Sequence, residues 1–128
     1  MSFDWTQYLF LAEELNKQAA SSSKREAMLR SAISRAYYAA FCYSKNFLTD
    51  HKNKVIPSNP TAHELVRDIF DGYAGALELT IATNLDRLRT DRNKADYDDE
   101  VTGLDSMSAF AIRLCQEVFL NIRDLQRK

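Results

Sequence analysis

The chain has 128 residues, 45% of them hydrophobic and 27% charged, a balance that suits one globular domain over residues 1–128 and argues against a disordered chain. Three glycines and two prolines are too few for the tight turns of an all-β sandwich or barrel. Seventeen basic and eighteen acidic side chains give a net charge of −1, which excludes a general electrostatic grip on nucleic acid and leaves only a local patch.

The first predicted helix runs from about Asp4 to Ala20. Tyr8, Leu11, Ala12, Leu15 and Ala19 recur at steps of three and four and share a face. Asp4 is placed to cap it. Ser21, Ser22 and Ser23 then break the pattern, with Ser23 and Glu26 at the spacing of a capping box. The second predicted helix, Lys24 to about Thr49, carries apolar lines through Leu29, Ile33, Ala36, Ala40 and Phe47, and through Met28, Ala32, Ala39 and Tyr43. A helix apolar on several sides belongs at the centre of a fold.

His51 to Pro60 reads as a loop. Thr61 and Glu64 have capping-box spacing, and a short helix follows through Leu65, Val66, Ile69 and Phe70, with Gly72 placed to end it. The fourth predicted helix spans about Ala74 to Arg92, with Leu77, Ile81, Leu85 and Leu88 on one line. A polar stretch from Asp96 to Glu100 interrupts the chain. The last helix starts near Gly103, with Thr102 as cap and Asp105 in the box position. Its main apolar line is Leu104, Met107, Ala111, Leu114, Val118 and Leu125. A second line, Ile112, Cys115, Phe119 and Ile122, lies roughly 100° round the helix and meets either another helix or a partner subunit. We assign it to a dimer interface. The predicted fold is all-α, an antiparallel bundle of four main helices plus one short one.

Two cysteines, Cys42 and Cys115, are too few for a disulfide scaffold or a zinc cluster and read as reduced core thiols. No apolar run approaches the roughly 20 residues needed to cross a bilayer, and the first residues lack the pattern of a secretory signal. The expectation is a cytoplasmic protein with no metal and no cofactor.

The chemistry concentrates at the end of the fourth helix. Its apolar line, extended by four residues from Leu88, reaches Arg92. A guanidinium where a hydrocarbon was due needs a partner, a solvent-filled cleft or a bound anion. Asp96, four residues on, can pair with it. Arg92 can at the same time offer its remaining donors to a phosphate. Arg89 sits on the neighbouring turn, so the positive patch is local. Asn93, Tyr97, Tyr38 and Ser34 complete the candidate binding set, with the two tyrosines able to stack a base.

The run Ser31-Ala32-Ile33-Ser34-Arg35-Ala36-Tyr37-Tyr38-Ala39-Ala40-Phe41, with Leu88-Arg89-Thr90-Asp91-Arg92-Asn93-Lys94-Ala95-Asp96-Tyr97 downstream, resembles the HEPN domain (higher eukaryotes and prokaryotes nucleotide-binding). The resemblance covers nearly the whole chain. It implies a helical bundle, commonly a homodimer, in a family of metal-independent ribonucleases, toxins paired with nucleotidyltransferase antitoxins, and non-catalytic members. In the active branch an arginine, often followed by asparagine, precedes a histidine by four to six intervening residues. Arg92-Asn93 matches the first part. The histidine positions hold Tyr97, Asp98 and Asp99, and Cys42 stands where many relatives have another histidine.

Metal-independent RNA cleavage needs a base for the 2′-hydroxyl and an acid for the leaving oxygen, and histidine suits both near neutrality. Tyrosine, with an unperturbed pKa of about 10, is a poor base at pH 7. Arg92, Asp96 and Tyr97 are the only candidates for catalytic roles, and Asp96 beside Arg92 would be weakened as a base. The expectation is a homodimer that binds RNA, a nucleotide or a partner protein near Arg92 without efficient catalysis. The alternatives are a metal-independent endoribonuclease or toxin, and an adaptor for a nucleotidyltransferase.

Overall fold

The computed structural model describes residues 3–128. Five helices form in chain order: α1 (Thr6–Ala19), α2 (Arg25–Lys52), α3 (Ala62–Tyr73), α4 (Ala76–Tyr97) and α5 (Leu104–Gln126), with no strand among the described residues. This is the all-α class that the apolar periodicity predicts.

Side-chain pairings fix the helix directions. Arg30 and Tyr38 of α2 meet Ala95 and Arg92 of α4, so numbers rise on one helix as they fall on the other. Asn16 and Glu13 of α1 meet Ser108 and Gln116 of α5 in the same opposed sense. α4 and α5 are also antiparallel, with Asn84 against Glu117 and Arg87 against Phe110. α2 and α5 run parallel across the diagonal: Arg25 pairs with Asp105, and Tyr43 stacks on Phe119. The result is an up-down-up-down bundle with α3 inserted between α2 and α4.

α2 touches all four other helices. Its sequence explains why: Ala32, Ala36, Ala39 and Ala40 are fully buried and let neighbours approach closely, while Leu29, Ile33 and Phe47 fill the space between. α4 buries Ile81, Leu85 and Leu88, the line read from the sequence. In α1, by contrast, Leu9 and Ala12 face the core and Leu11 is 40% exposed, so the apolar face is rotated from the expected one.

The dimer-interface assignment on α5 requires correction. Ile112, Cys115, Phe119 and Ile122 are all buried inside their own chain. The reason is the diagonal contact: α2 and α5 press together, and the Tyr43 and Phe119 rings stack at 4.2 Å. Burial also raises the Cys115 thiol far above its ordinary range.

The helix ends differ in detail from the predicted caps. Asp4 lies just outside α1, yet its Oδ1 accepts hydrogen bonds from the Thr6 N–H at 3.0 Å and the Thr6 hydroxyl at 2.6 Å. Ser22, not Ser23, supports the start of α2 by accepting from the Lys24 N–H. Asn59 performs the same task for α3, accepting from Thr61, so the Thr61 capping box does not form. Gly72 stays helical, and Ala74 takes the left-handed conformation after α3 with φ 58°. At α5 the boundary residue is Gly103 with φ 72°, which favours glycine over Thr102 for steric reasons. α4 continues beyond Arg92 to Tyr97, which places Asp96 on the same helix as Arg92.

One arginine fixes that extension. Arg30 of α2 donates to the backbone carbonyls of Ala95, Asp98 and Asp99 at 3.0, 2.6 and 3.1 Å. The last carbonyls of a helix have no partner within it. A cation there satisfies them and suits the negative end of the helix dipole. Arg30 thereby anchors the turn that carries Arg92 and Tyr97.

Candidate site around Arg92

The guanidinium of Arg92 sits in a frame of tyrosines. Its carbon lies 5.1 Å from the ring centre of Tyr38, 5.5 Å from that of Tyr97 and 5.9 Å from that of Tyr37. Nη2 donates to the Tyr38 hydroxyl at 2.6 Å and Nη1 to Asn93 Oδ1 at 3.1 Å. Nε lies 2.8 Å from Asp96 Oδ2, but its N–H does not point along that line, so the contact is an ion pair more than an aligned hydrogen bond. The Ser34 hydroxyl reaches the same Asp96 oxygen at 3.4 Å. Arg92, Asn93, Asp96, Tyr97, Tyr38 and Ser34, all named from sequence, thus converge.

Side-chain exposures of 19% for Arg92 and 25% for Asp96 place the pair at the surface of the bundle without leaving it in bulk water. Burial works against the charge of Arg92, but Tyr38, Asp96 and Tyr97 outweigh it and raise the guanidinium pKa above its ordinary value. A guanidinium has five N–H donors. With one N–H on each Nη engaged, one N–H on each terminal nitrogen has no partner among the described residues. Such donors can receive an anion. Tyr97, 71% exposed, offers a ring face beside them.

Three concavities lie between α4 and α5, between α1 and α5, and near the start of α1, and Arg92 lines none of these three. Its immediate surroundings are the aromatic frame. Arg89 turns toward α3, where its Nη1 is 3.7 Å from Glu64 Oε1. The arginines of α4 diverge because each faces a different neighbour, with Arg87 over Phe110 of α5, Arg89 toward α3 and Arg92 against α2. The positive patch is therefore divided.

Sequence reasoning did not place His63 near this site. His63 is buried on α3, with Nδ1 2.9 Å from the Tyr37 hydroxyl and Nε2 3.1 Å from Asp86 Oδ1. The neutral tautomer that serves both partners donates from Nε2 to the carboxylate and accepts at Nδ1 from Tyr37. Arg67 donates to the other Asp86 oxygen at 3.1 Å. The imidazole stacks on Phe41. Tyr37 in turn meets Tyr38 edge to face at 5.1 Å, so this network supports the floor beneath Arg92. Burial pushes the Tyr37 phenol up to about 12, so it is a neutral hydrogen-bond donor at pH 7. The available sequence signal was position: His63, Val66 and Phe70 recur at steps of three and four and are all buried.

Among the described residues, no three His, Cys, Asp or Glu side chains come together to hold a metal ion. No helix among the described residues is long and apolar enough to cross a membrane.

The HEPN-domain family profile matches residues 7–125, and the chain belongs to that family. No curated protein and no solved structure gives a significant match.

Burial, the largest influence, holds the His63 pKa below its ordinary value despite the hydrogen bond to Asp86. The folded state thus binds this proton less readily than the unfolded chain. Its contribution to stability is full above about pH 6.5 and declines as pH falls through the lowered folded pKa. Denaturant titrations from pH 8 to 5 are expected to show stability falling on the acid side, with a smaller decline in His63→Phe. That variant should lose about 1–3 kcal/mol at pH 8, because it leaves the Tyr37 hydroxyl buried without its acceptor.

Proposed function

We propose that this HEPN-family protein binds the phosphate of an RNA or nucleotide at Arg92, with Tyr97 against a base, and does not cleave its ligand efficiently. The observation that carries the reading is the Arg92 side chain itself. It is fixed by Tyr38, Asn93 and Asp96 and keeps a donor on each terminal nitrogen. A guanidinium held in place loses little freedom when it meets a phosphate, and two donors allow bidentate contact. Tyr97 adds an exposed ring of the kind that stacks bases.

The argument against efficient catalysis is chemical. Tyr97, Asp98 and Asp99 occupy the positions where the ribonuclease branch of the resembling family carries histidine. His63 does not replace it: both ring nitrogens are engaged and the residue is 5% exposed. Asp96 Oδ2 is already engaged by the Arg92 guanidinium and the Ser34 hydroxyl, which leaves it poorly placed to take a proton from a ligand. The nearby Asp98, Asp99 and Glu100 are exposed acids, which suit a short ligand better than a long polyanion gripped along its backbone.

Anisotropy titrations with short labelled RNAs and with mononucleotides, at fixed salt and with a chelator present, test this. Arg92→Gln should weaken binding about tenfold or more, since a charge-assisted hydrogen bond contributes roughly 1.5–3 kcal/mol. Arg92→Lys should not restore it, because an ammonium lacks the planar fork. The RNA should remain intact. Equal binding by wild type and Arg92→Gln would remove the site, and rapid Arg92-dependent cleavage would establish a ribonuclease instead.

The proposed homodimer needs a surface other than the buried line on α5. Phe10 and Leu120 are 60% and 58% exposed and border one groove of about 390 Å³ between α1 and α5. Glu14 of α1 and Arg123 of α5 have no ion-pair partner among the described residues, and these opposite charges can be exchanged across a two-fold axis. Sedimentation at tens of micromolar should show a dimer for wild type and a monomer for Leu120→Glu. A wild-type monomer, or a dimer unaffected by Leu120→Glu, would contradict this contact.

A further inference from the structure

The groove between α4 and α5 has a volume of about 510 Å³, within the usual range for small-ligand sites. Its walls include Arg87, Asp91, Ser106, Met107, Phe110 and Arg113. Two guanidiniums converge on one ring: Arg87 lies 4.9 Å and Arg113 5.8 Å from the centre of Phe110. The facing charges do not balance. Asp91 is 3% exposed and its Oδ2 lies 3.4 Å from Arg87 Nε, so one carboxylate serves that arginine alone. Arg113 has no ion-pair partner among the described residues. Glu117, one turn further along α5, accepts from Asn84 at 3.2 Å.

Of the two cations drawn to this ring only Arg87 has a carboxylate partner, so the groove carries a positive charge that an anion can balance. The groove also has an apolar side, from Phe110 and Met107, that water does not serve well. We propose that this groove binds a flat organic anion, an aromatic ring bearing a phosphate or carboxylate. Its acidic group lies between Arg87 and Arg113, and its ring covers Phe110 and Met107. Ser106 supplies a further hydroxyl at the same wall. Guanidinium planes stack on flat rings as readily as they pair with oxyanions, so the same two residues can select both parts of the ligand. This proposal is independent of the Arg92 reading, since Arg87 and Arg92 face different neighbours.

The test uses the full chain with three probes: adenosine 5′-monophosphate, benzoate and inorganic phosphate. Binding is followed by amide chemical-shift changes at Ser106 to Arg113. At least one of the two aromatic anions should shift these resonances at concentrations up to about 10 mM. Arg113→Gln, an exposed change, should weaken that binding at least tenfold, while Arg92→Gln should leave it unaltered. A response to the nucleotide alone identifies phosphate as the acidic group, and a response to benzoate alone identifies carboxylate. No shift with either aromatic anion would overturn the proposal. So would an equal response in Arg113→Gln, or inorganic phosphate binding as tightly as the aromatic probe that binds.

Discussion

A guanidinium on the inward side of a helix must be surrounded by groups that tolerate its charge. In this bundle the surrounding is built by α2, whose consecutive Tyr37 and Tyr38 both approach Arg92 of α4. The hydrogen bond from Arg92 to the Tyr38 hydroxyl joins the two helices at 2.6 Å. Around it, Asp96 balances the charge and Tyr97 closes the outer side. The seam between α2 and α4 is thus both a packing contact and the location of the candidate site.

Support for that seam comes from two directions. On one side Arg30 satisfies three carbonyls at the end of α4 and keeps the turn carrying Asp96 and Tyr97 in place. On the other, His63 and Asp86 fix the Tyr37 hydroxyl from the α3 side. The divergence of Arg87, Arg89 and Arg92 has a related consequence. A helix facing three neighbours distributes its charges among them, so sequence proximity does not produce one broad basic surface.

The helices and most of the core were legible because burial imposes a period of three to four residues. Leu77, Ile81, Leu85 and Leu88 mark one face of α4, and Arg92 on the same line marks the place where the hydrocarbon ends. Asp96 was legible for the same reason, being four residues further along. Local hydrogen bonding was less readable. Ser22 and Asn59 take the tasks expected of Ser23 and Thr61, because a boundary shift of a single residue changes which side chain can reach the free N–H. Interactions set by tertiary placement were hidden altogether. Arg30 meets carbonyls some 65 to 69 positions away, and His63 finds its partners only once α3 lies across α2 and α4. The line Ile112, Cys115, Phe119 and Ile122 had the apolar character of an interface, but its partner is α2 of the same chain.

Side-chain ¹⁵N spectroscopy of the Arg92 guanidinium tests the account most directly. Its N–H groups should exchange and rotate slowly in the free protein, and the terminal nitrogens should shift when a short RNA or a nucleotide is added. A freely rotating guanidinium, unchanged by either ligand at saturating concentration, would contradict both the frame and the role given to it.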